Sequence, residues 1–170
     1  MKRDNIIFLF LLFTICLLGC GTPDRELTRK DLNTVKAPNT DLPIFMYQGE
    51  PFTGVTTDVM EESGVKLITN YKDGYQHGEL TGWHANGNKE RKLYFVNGIP
   101  EGKQAGFYEN GQKFFESFYV DGKLDGTVTH WYETGVIQLV IEYREGQEIA
   151  RISYDEKGSK IEAGLPADSL

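Results

Sequence analysis

The amino-acid sequence predicts an all-β fold: an elongated, single-layer antiparallel β-meander built from about four to five 24-residue hairpin repeats. Three observations support this prediction. Glycines recur every 24 residues, each unit carries paired turn signals, and runs of aromatic and β-branched residues lie between the turns. A helix is disfavoured because it needs a period of 3.6 residues and loses about 1 kcal/mol for each internal glycine.

Glycine defines the repeat unit. Three series of glycines keep the same spacing of 24 residues, namely Gly54, Gly78, Gly102 and Gly126; Gly74, Gly98, Gly122 and Gly146; and Gly87, Gly111 and Gly135. Self-similarity at a fixed period indicates a repeat architecture, and irregular first and last units are typical of the ends of a stack.

Each full unit contains two turn signals, as the stretch "FYENGQKFFESFYVDGK" illustrates. Asn110-Gly111 and Asp121-Gly122 predict two tight hairpins in which both central residues take φ > 0. The repeat-defining turns are therefore placed at Gly74, Gly87, Gly98, Gly111, Gly122, Gly135 and Gly146. Because no segment with a helical period is available to cover the sheet, the aromatic rings are expected to pack on the sheet themselves, in rows such as Tyr71, Phe95, Tyr119 and Tyr143.

The N-terminus has a different character. Lys2 and Arg3 precede an apolar run of 13 residues, 6–18, which is shorter than the roughly 20 residues of a membrane-spanning helix. The run ends in Leu17-Leu18-Gly19-Cys20, which resembles the lipobox of bacterial lipoproteins. The resemblance implies a signal peptide over residues 1–19, cleavage before Cys20, and acyl chains on Cys20 that attach the protein to a membrane. An uncleaved N-terminal membrane helix is the alternative.

The remaining chain divides into three parts. Residues 20–43 are predicted to be the lipidated N-terminus and a flexible tether, because residues 21–43 contain no aromatic or apolar cluster. A tether of this length has a root-mean-square reach of about 27 Å. Residues 44–163 form the repeat domain, and residues 164–170 form a C-terminal tail.

The charge of the mature chain limits its partners. Removal of the signal peptide removes Lys2, Arg3 and Asp4, which leaves 16 basic and 24 acidic residues and a formal net charge of −8. An acidic surface repels nucleic acid, so no nucleic-acid partner is predicted.

The stretches "GELTGWHANGNKERKLYFVNGIPEG" and "GKLDGTVTHWYETG" resemble the MORN-repeat-variant family. The resemblance covers roughly residues 47–160. It implies a β-repeat fold and a non-catalytic module, and many bacterial members are antitoxin-like proteins or lipoproteins. The motif carries no catalytic residue.

No enzyme, cofactor or metal site is predicted. His77, His84 and His130 fall at three different repeat positions, and no Cys or His partner lies at metal-ligand spacing. Glu61 and Glu62 are interpreted as surface charge, because consecutive strand residues point to opposite faces.

Adjacent ring pairs suggest a binding face, since each pair places one ring on each side of the sheet. The candidate binding residues are Trp83, Tyr108, Trp131 and Tyr132. The predicted function is a membrane-anchored protein–protein interaction module of the bacterial cell envelope, antitoxin- or immunity-like by resemblance. Gly21, rather than Asp, after the lipidated cysteine predicts that the lipoprotein is sorted to the outer membrane in a cell with two membranes. The alternative function is an envelope structural protein that binds cell-wall glycan through its aromatic rows.

Overall fold

The computed structural model describes residues 26–164 of the 170-residue chain. The predicted signal peptide, Cys20 and most of the predicted C-terminal tail lie outside the described residues. Within the described range the chain is all-β, and its one helical element is a short 3-10 turn, Arg29–Asp31.

Two antiparallel sheets make up the described chain. The small sheet contains, in this order, β1 (Asn33–Lys36), β2 (Pro43–Tyr47) and β3 (Glu50–Pro51). The large sheet has 12 strands. They are β4 (Gly54–Val59), β5 (Lys66–Lys72), β6 (Tyr75–Trp83), β7 (Lys89–Val96), β8 (Ile99–Pro100), β9 (Gly102–Phe107), β10 (Lys113–Val120), β11 (Lys123–Leu124), β12 (Gly126–Trp131), β13 (Ile137–Arg144), β14 (Gln147–Tyr154) and β15 (Lys160–Gly164).

The large sheet is an open meander. Its main path runs β4–β5–β6–β7–β9–β10–β12–β13–β14–β15, and the short strands β8 and β11 pair with β7 and β10. Strands that are close in sequence are neighbours throughout, and the sheet does not close on itself. The predicted antiparallel β-meander of hairpin repeats is therefore confirmed.

The turns of the Asp-Gly row have the predicted geometry. Asp73, Asn97, Asp121 and Glu145 have φ values of 50°, 50°, 49° and 50°, and the glycine that follows each also has a positive φ. Two consecutive residues with φ > 0 define the type I′ turn, whose twist matches that of the flanking strands.

The turns of the Asn-Gly row differ from the prediction. Gly111 has a φ of +85°, whereas Asn110 is not among the residues with positive φ. The Tyr108 N–H donates to the Gln112 carbonyl at 2.8 Å, and the Gly111 N–H donates to the Tyr108 carbonyl at 2.9 Å. The loop is thus three residues long and ends in a left-handed glycine, a geometry that requires φ > 0 only at the glycine.

Each Asn-Gly hairpin is followed by a β-bulge. The extra residues are Glu90, Phe114 and Gln138, which again lie 24 residues apart. At the second bulge Phe114 and Phe115 both lie against Gly106, where an added Cβ would come within 2.5 Å of each ring.

Glycines of one series lie directly opposite the rings of another. The cross-strand pairs are Gly54 with Tyr71, Gly78 with Phe95, Gly102 with Tyr119, and Gly126 with Tyr143. This row of rings lies on one face of the sheet, as the alternation of the sequence predicted.

A buried hydrophobic cluster lies at the N-terminal end, where a cap formed by residues 26–53 packs against Tyr71 of β5. Its members are Leu27, Leu32, Phe45, Phe52 and Tyr71. The ring centroids of Phe45 and Tyr71 are 4.9 Å apart. The cap is attached to the Asp73-Gly74 turn by two backbone hydrogen bonds, Phe45 N–H to the Gly74 carbonyl and Gly74 N–H to the Phe52 carbonyl, at 2.7 and 2.8 Å.

The predicted tether at residues 20–43 is wrong for residues 26–43, which are part of this cap. Leu27 and Leu32 are buried on either side of the 3-10 turn, and β1 pairs with β2. The Asp31 carboxylate accepts hydrogen bonds from the N–H and hydroxyl of Thr28 at 2.8 and 2.9 Å. This segment contributes only two leucines to the buried cluster. The aromatic rings of the cluster, Phe45, Phe52 and Tyr71, come later in the chain.

Candidate interaction surfaces

The tyrosines of the predicted binding face connect successive repeats. The Tyr108 hydroxyl donates to the Trp131 carbonyl at 2.8 Å, and the Tyr132 hydroxyl donates to the Tyr154 carbonyl at 2.9 Å. His84 occupies the equivalent position one unit earlier, and its Nε2 lies 2.7 Å from the Phe107 carbonyl oxygen. These hydroxyls are therefore engaged within the fold.

The tryptophans of the predicted binding face are also partly covered. Trp83 and Trp131 are half-buried, and the Lys113 Nζ lies 5.7 Å from the centroid of the Trp131 ring. The structure places all four predicted residues at the Asn-Gly edge of the sheet, where Tyr108, Trp131 and Tyr132 take part in contacts between units.

We expect the double variant Tyr108→Phe/Tyr132→Phe to lower the free energy of unfolding by about 1–3 kcal/mol, since each lost hydrogen bond contributes about 0.5–1.5 kcal/mol. Urea denaturation measures the change. The single variant Tyr143→Phe is the control, because no hydrogen bond of its hydroxyl is found in the described structure, and its effect should be within 0.5 kcal/mol. Equal stability of the double variant and the wild type would contradict the structural role of these hydroxyls.

A hydrogen bond from the asparagine side chain to the next repeat explains why asparagine occupies the Asn-Gly turns. The Asn86 side-chain amide donates to the Glu109 carbonyl at 2.8 Å, and the Asn110 amide donates to the Glu133 carbonyl at 3.0 Å. The side-chain oxygen of Asn110 accepts the Gln112 N–H at 2.9 Å. Asparagine is therefore used here for hydrogen bonding and not for its tolerance of positive φ.

Exposed apolar side chains gather on the face opposite the row of packed rings. Tyr94 and Phe118 are 43% and 46% exposed and lie one repeat apart on β7 and β10. We define the apolar patch as Tyr94, Val96, Ile99, Phe118 and Val120, all of which are exposed. Val96 and Ile99 are direct cross-strand partners.

Four residues of the apolar patch, Tyr94, Val96, Phe118 and Val120, have polar residues at the equivalent positions of the neighbouring units. The positions of Tyr94 and Val96 are occupied by Asn70 and Lys72 in the unit before, and the positions of Phe118 and Val120 are occupied by Glu142 and Arg144 in the unit after. The fold is the same in all of these units. The apolar character is therefore a property of this surface and not a requirement of the repeat.

The backbone beneath the patch is held by a buried glutamine. Gln104 is 4% exposed. Its Oε1 accepts the Tyr94 N–H at 2.9 Å, and its Nε2 donates to the carbonyls of Tyr94 and Glu101 at 2.8 and 3.1 Å. The amide thereby satisfies the backbone groups of Tyr94 in β7, where the pairing of β7 with β9 is interrupted.

Ion pairs border the patch on the same face. Lys92 Nζ lies 2.8 Å from Glu79, and Lys103 Nζ lies 2.9 Å from Glu116. The hydrogen bond from Lys92 lowers the pKa of Glu79. Partial burial opposes the shift at Glu116, but hydrogen bonds from Lys113 and Lys103 lower the pKa of this carboxyl. The apolar centre is thus bordered by charges that compensate one another.

The opposite face contains two cavities. The larger, of about 620 Å³, includes Leu67 and Leu80, and the smaller, of about 150 Å³, includes Leu93 and Phe115. Leu80 and Leu93 are cross-strand partners, so the two cavities are neighbours. Both basic and acidic side chains line the larger cavity, among them Arg29, Lys30, Asp58, Glu61 and Glu62, so its charge does not select a class of ligand.

The histidines and the carboxylate pair considered in the sequence lie apart from one another in the fold. Residues 26–164 contain no group of three or more His, Cys, Asp and Glu side chains that could hold a metal ion. Nδ1 of His77 lies 3.2 Å from the Asn97 side-chain oxygen, and burial lowers the pKa of His130. Glu61 is exposed and lies 3.7 Å from Lys30 Nζ.

The sequence itself contains a signal for the apolar patch. Tyr94-Phe95 and Phe118-Tyr119 are adjacent ring pairs 24 residues apart, so alternation places one ring of each pair on each face. The same alternation holds for the ring pairs near the Asn-Gly turns. There the outward rings are used for contacts between repeats, a distinction that depends on the three-dimensional register.

The fold and the surface together define a β-hairpin repeat protein. Residues 76–97, 100–121 and 124–145 match the family described as MORN repeat variant. This part of the chain consists of three consecutive repeats of the MORN repeat variant family. MORN repeats are non-catalytic modules that interact with proteins or membranes.

Part of the chain also resembles a solved structure. Among solved structures, the chain is similar to the Glycosylation Associate Protein (Gap123) complex from Streptococcus agalactiae, with 16% identity and a TM-score of 0.33 over 71% of this chain. The similarity spans 22% of that chain. No curated protein matches the sequence. The described residues include no helix with the length and apolarity needed to cross a membrane.

Proposed function

We propose that the protein is a lipid-anchored, non-catalytic protein-binding module of the bacterial cell envelope, and that the apolar patch is its contact with the partner. The observation that carries the proposal is that Tyr94, Val96, Phe118 and Val120 are exposed apolar residues in the two middle units, whereas the positions equivalent to them in the unit before and the unit after hold polar residues. A large exposed apolar patch with a polar border is typical of a protein-interaction site.

The patch has the composition of an interface centre. Tyr94 and Phe118 supply aromatic rings of the kind that anchor interfaces, and three aliphatic side chains surround them. These side chains stand on strands whose backbone is held by the ladder and by Gln104. A surface that is ordered before binding loses less conformational entropy in the complex.

The anchor and the location rest on the N-terminal sequence. The lipobox resemblance supports acylation at Cys20, and Gly21 supports sorting to the outer membrane in a cell with two membranes. The antitoxin- or immunity-like role is the finer form of the proposal. In that role, the partner is a protein whose activity is blocked in the complex.

The test is capture of the partner by the full-length lipoprotein after chemical crosslinking in cells and solubilisation of the envelope in detergent. We expect the wild type to retain a stoichiometric protein partner. The variant Tyr94→Ser/Phe118→Ser should retain at least tenfold less, because each side chain is an interface anchor of about 1–2 kcal/mol or more.

The matched control is Val55→Ser/Ile137→Ser, which alters two side chains that are 48% and 40% exposed and lie outside the patch. This control should capture the partner as the wild type does. Equal capture by the patch variant and the wild type would show that the partner binds elsewhere.

A second function is favoured by the spacing of the two exposed rings. Tyr94 and Phe118 lie on β7 and β10, which are separated by one strand, so the rings are about 9.6 Å apart along the sheet. Two rings on one face at such a spacing are suited to stacking on a cell-wall glycan. Retention of the wild type on peptidoglycan, with loss in the patch variant and without a protein partner, would favour this function over the first.

A further inference from the structure

We infer that the partner belongs to the same membrane as the lipid anchor, because the fold begins so early in the chain that the apolar patch is held close to the bilayer. The inference rests on the proposed function, that is, on acylation at Cys20 and binding at the patch. It concerns the kind of partner that can reach the patch.

The folded chain begins at its N-terminal cap. Leu27 is buried, and its carbonyl accepts the Thr57 N–H at 2.8 Å. The Arg29 N–H donates to the Asp58 carboxylate at 2.8 Å. These contacts attach the start of the described chain to β4, the terminal strand of the large sheet.

The connection between lipid and fold is therefore short. Six residue steps separate Cys20 from Glu26, and six steps span at most about 20–22 Å in any conformation. The 23-residue tether that the sequence predicted would span up to about 80 Å when extended. The structure removes most of that reach.

The position of the apolar patch in the sheet determines how far it can lie from the bilayer surface. β7 and β10 are the third and fifth strands beyond β4 on the main path, which places the patch about 14–24 Å from β4. The patch then lies within about 45 Å of the bilayer surface even when the sheet stands upright on its cap. The far end, β15, is nine strands from β4, or about 43 Å.

The charge of the domain favours the upright arrangement. The mature chain has a formal net charge of −8, so a sheet lying flat would bring many carboxylates next to anionic head groups. With the cap nearest the membrane, the repeats project away from it. Both faces of the middle units then remain accessible.

The short distance between the apolar patch and the bilayer determines which kind of partner can bind. A protein held in the same membrane presents its surface at the same height, and tethering both proteins raises their effective concentration. A freely diffusing partner gains nothing from the anchor. The short connection is thus suited to a partner that is embedded in or anchored to the same bilayer.

The orientation can be measured without the partner. Glu61→Cys and Lys157→Cys each introduce a single thiol into a chain whose only other cysteines are Cys16 and Cys20. Both sites lie in hairpin loops on the same edge of the sheet, four repeats or about 38 Å apart. In vesicles that contain a lipid-borne acceptor, a donor at residue 61 should be quenched at least threefold more than one at residue 157.

Insertion of 15 Gly/Ser residues after Arg25 provides the control for this measurement. The longer connection should reduce the difference in quenching between the two sites by at least half. Equal quenching at both sites in the uninserted protein, or a difference that the insertion leaves unchanged, would overturn the proposed arrangement.

The partner's membrane is tested by moving the anchor. In a cell with two membranes, Gly21→Asp should retain the lipoprotein in the inner membrane, whereas Gly21→Ala should leave its sorting unchanged. We expect capture of the partner to fall at least tenfold in the first variant and to be preserved in the second. Unchanged capture after relocation would overturn the inference and leave the proposed function intact. If the wild type captured no partner through the patch, the proposed function would fail, and the vesicle measurement would still decide the orientation.

Discussion

Replacing Phe45 by alanine is expected to lower the free energy of unfolding by about 3–5 kcal/mol, the range for large-to-small changes of a buried phenylalanine. Phe45 is 4% exposed. Its ring centroid lies 4.9 Å from that of Tyr71 and 4.5 Å from the Arg29 guanidinium carbon. Because Phe45 lies where the small sheet meets the first repeat, the cavity would loosen the attachment of the whole cap.

Urea denaturation followed by tryptophan fluorescence measures the effect, since Trp83 and Trp131 report on the repeats rather than on the cap. The control is Val35→Ala in β1, where the side chain is 48% exposed and the change should be within about 0.5 kcal/mol. A loss below 1 kcal/mol for Phe45→Ala would show that the cap is not packed on the repeats.

The second large effect is expected for Gly106→Ala, which should lower the free energy of unfolding by about 1–3 kcal/mol. The backbone at Gly106 does not have a positive φ, so the cost does not come from its dihedral angles. It arises because the new methyl group would lie 2.4 Å from the Phe115 ring and 2.5 Å from the Phe114 ring. Both rings at the bulge would have to move.

Gly164→Ala is the matched control for this change. Gly164 also lies in a strand and lacks a positive φ, and an added Cβ there meets no atom within 4 Å. Alanine should be neutral or slightly stabilising at that position, because glycine loses more conformational freedom on folding. A comparable loss in both variants, measured by the same urea titration, would argue against ring overlap as the cause.

The repeat fold could be predicted because each glycine series has a local cause. Gly74 and Gly98 follow residues that also have positive φ, and Gly102 faces a ring across the strand pair. These requirements act over a few residues, so they appear in the sequence as a fixed period. The antiparallel meander follows from turns placed at regular intervals.

Features that depend on distant contacts could not be predicted in the same way. The sequence of residues 26–43 is polar, and its folding depends on Phe45, Phe52 and Tyr71, which come later in the chain. The Tyr108 hydroxyl is used because the next unit brings the Trp131 carbonyl within 2.8 Å. An Asn-Gly pair is compatible with a two-residue type I′ turn and with a three-residue loop that ends in a left-handed glycine. The pair alone does not distinguish these two geometries, and the chain adopts the second at Gly111.

The separation of structural and exposed positions within each unit has an evolutionary consequence. The glycines, the turn residues and the inter-repeat hydrogen bonds fix the architecture, whereas residues 94, 96, 118 and 120 project from it. Mutation at these positions can change what the protein recognises while the fold is inherited unaltered. Duplication of a 24-residue unit would also duplicate the surface it carries, so that a lineage can extend or erase the recognition area one module at a time.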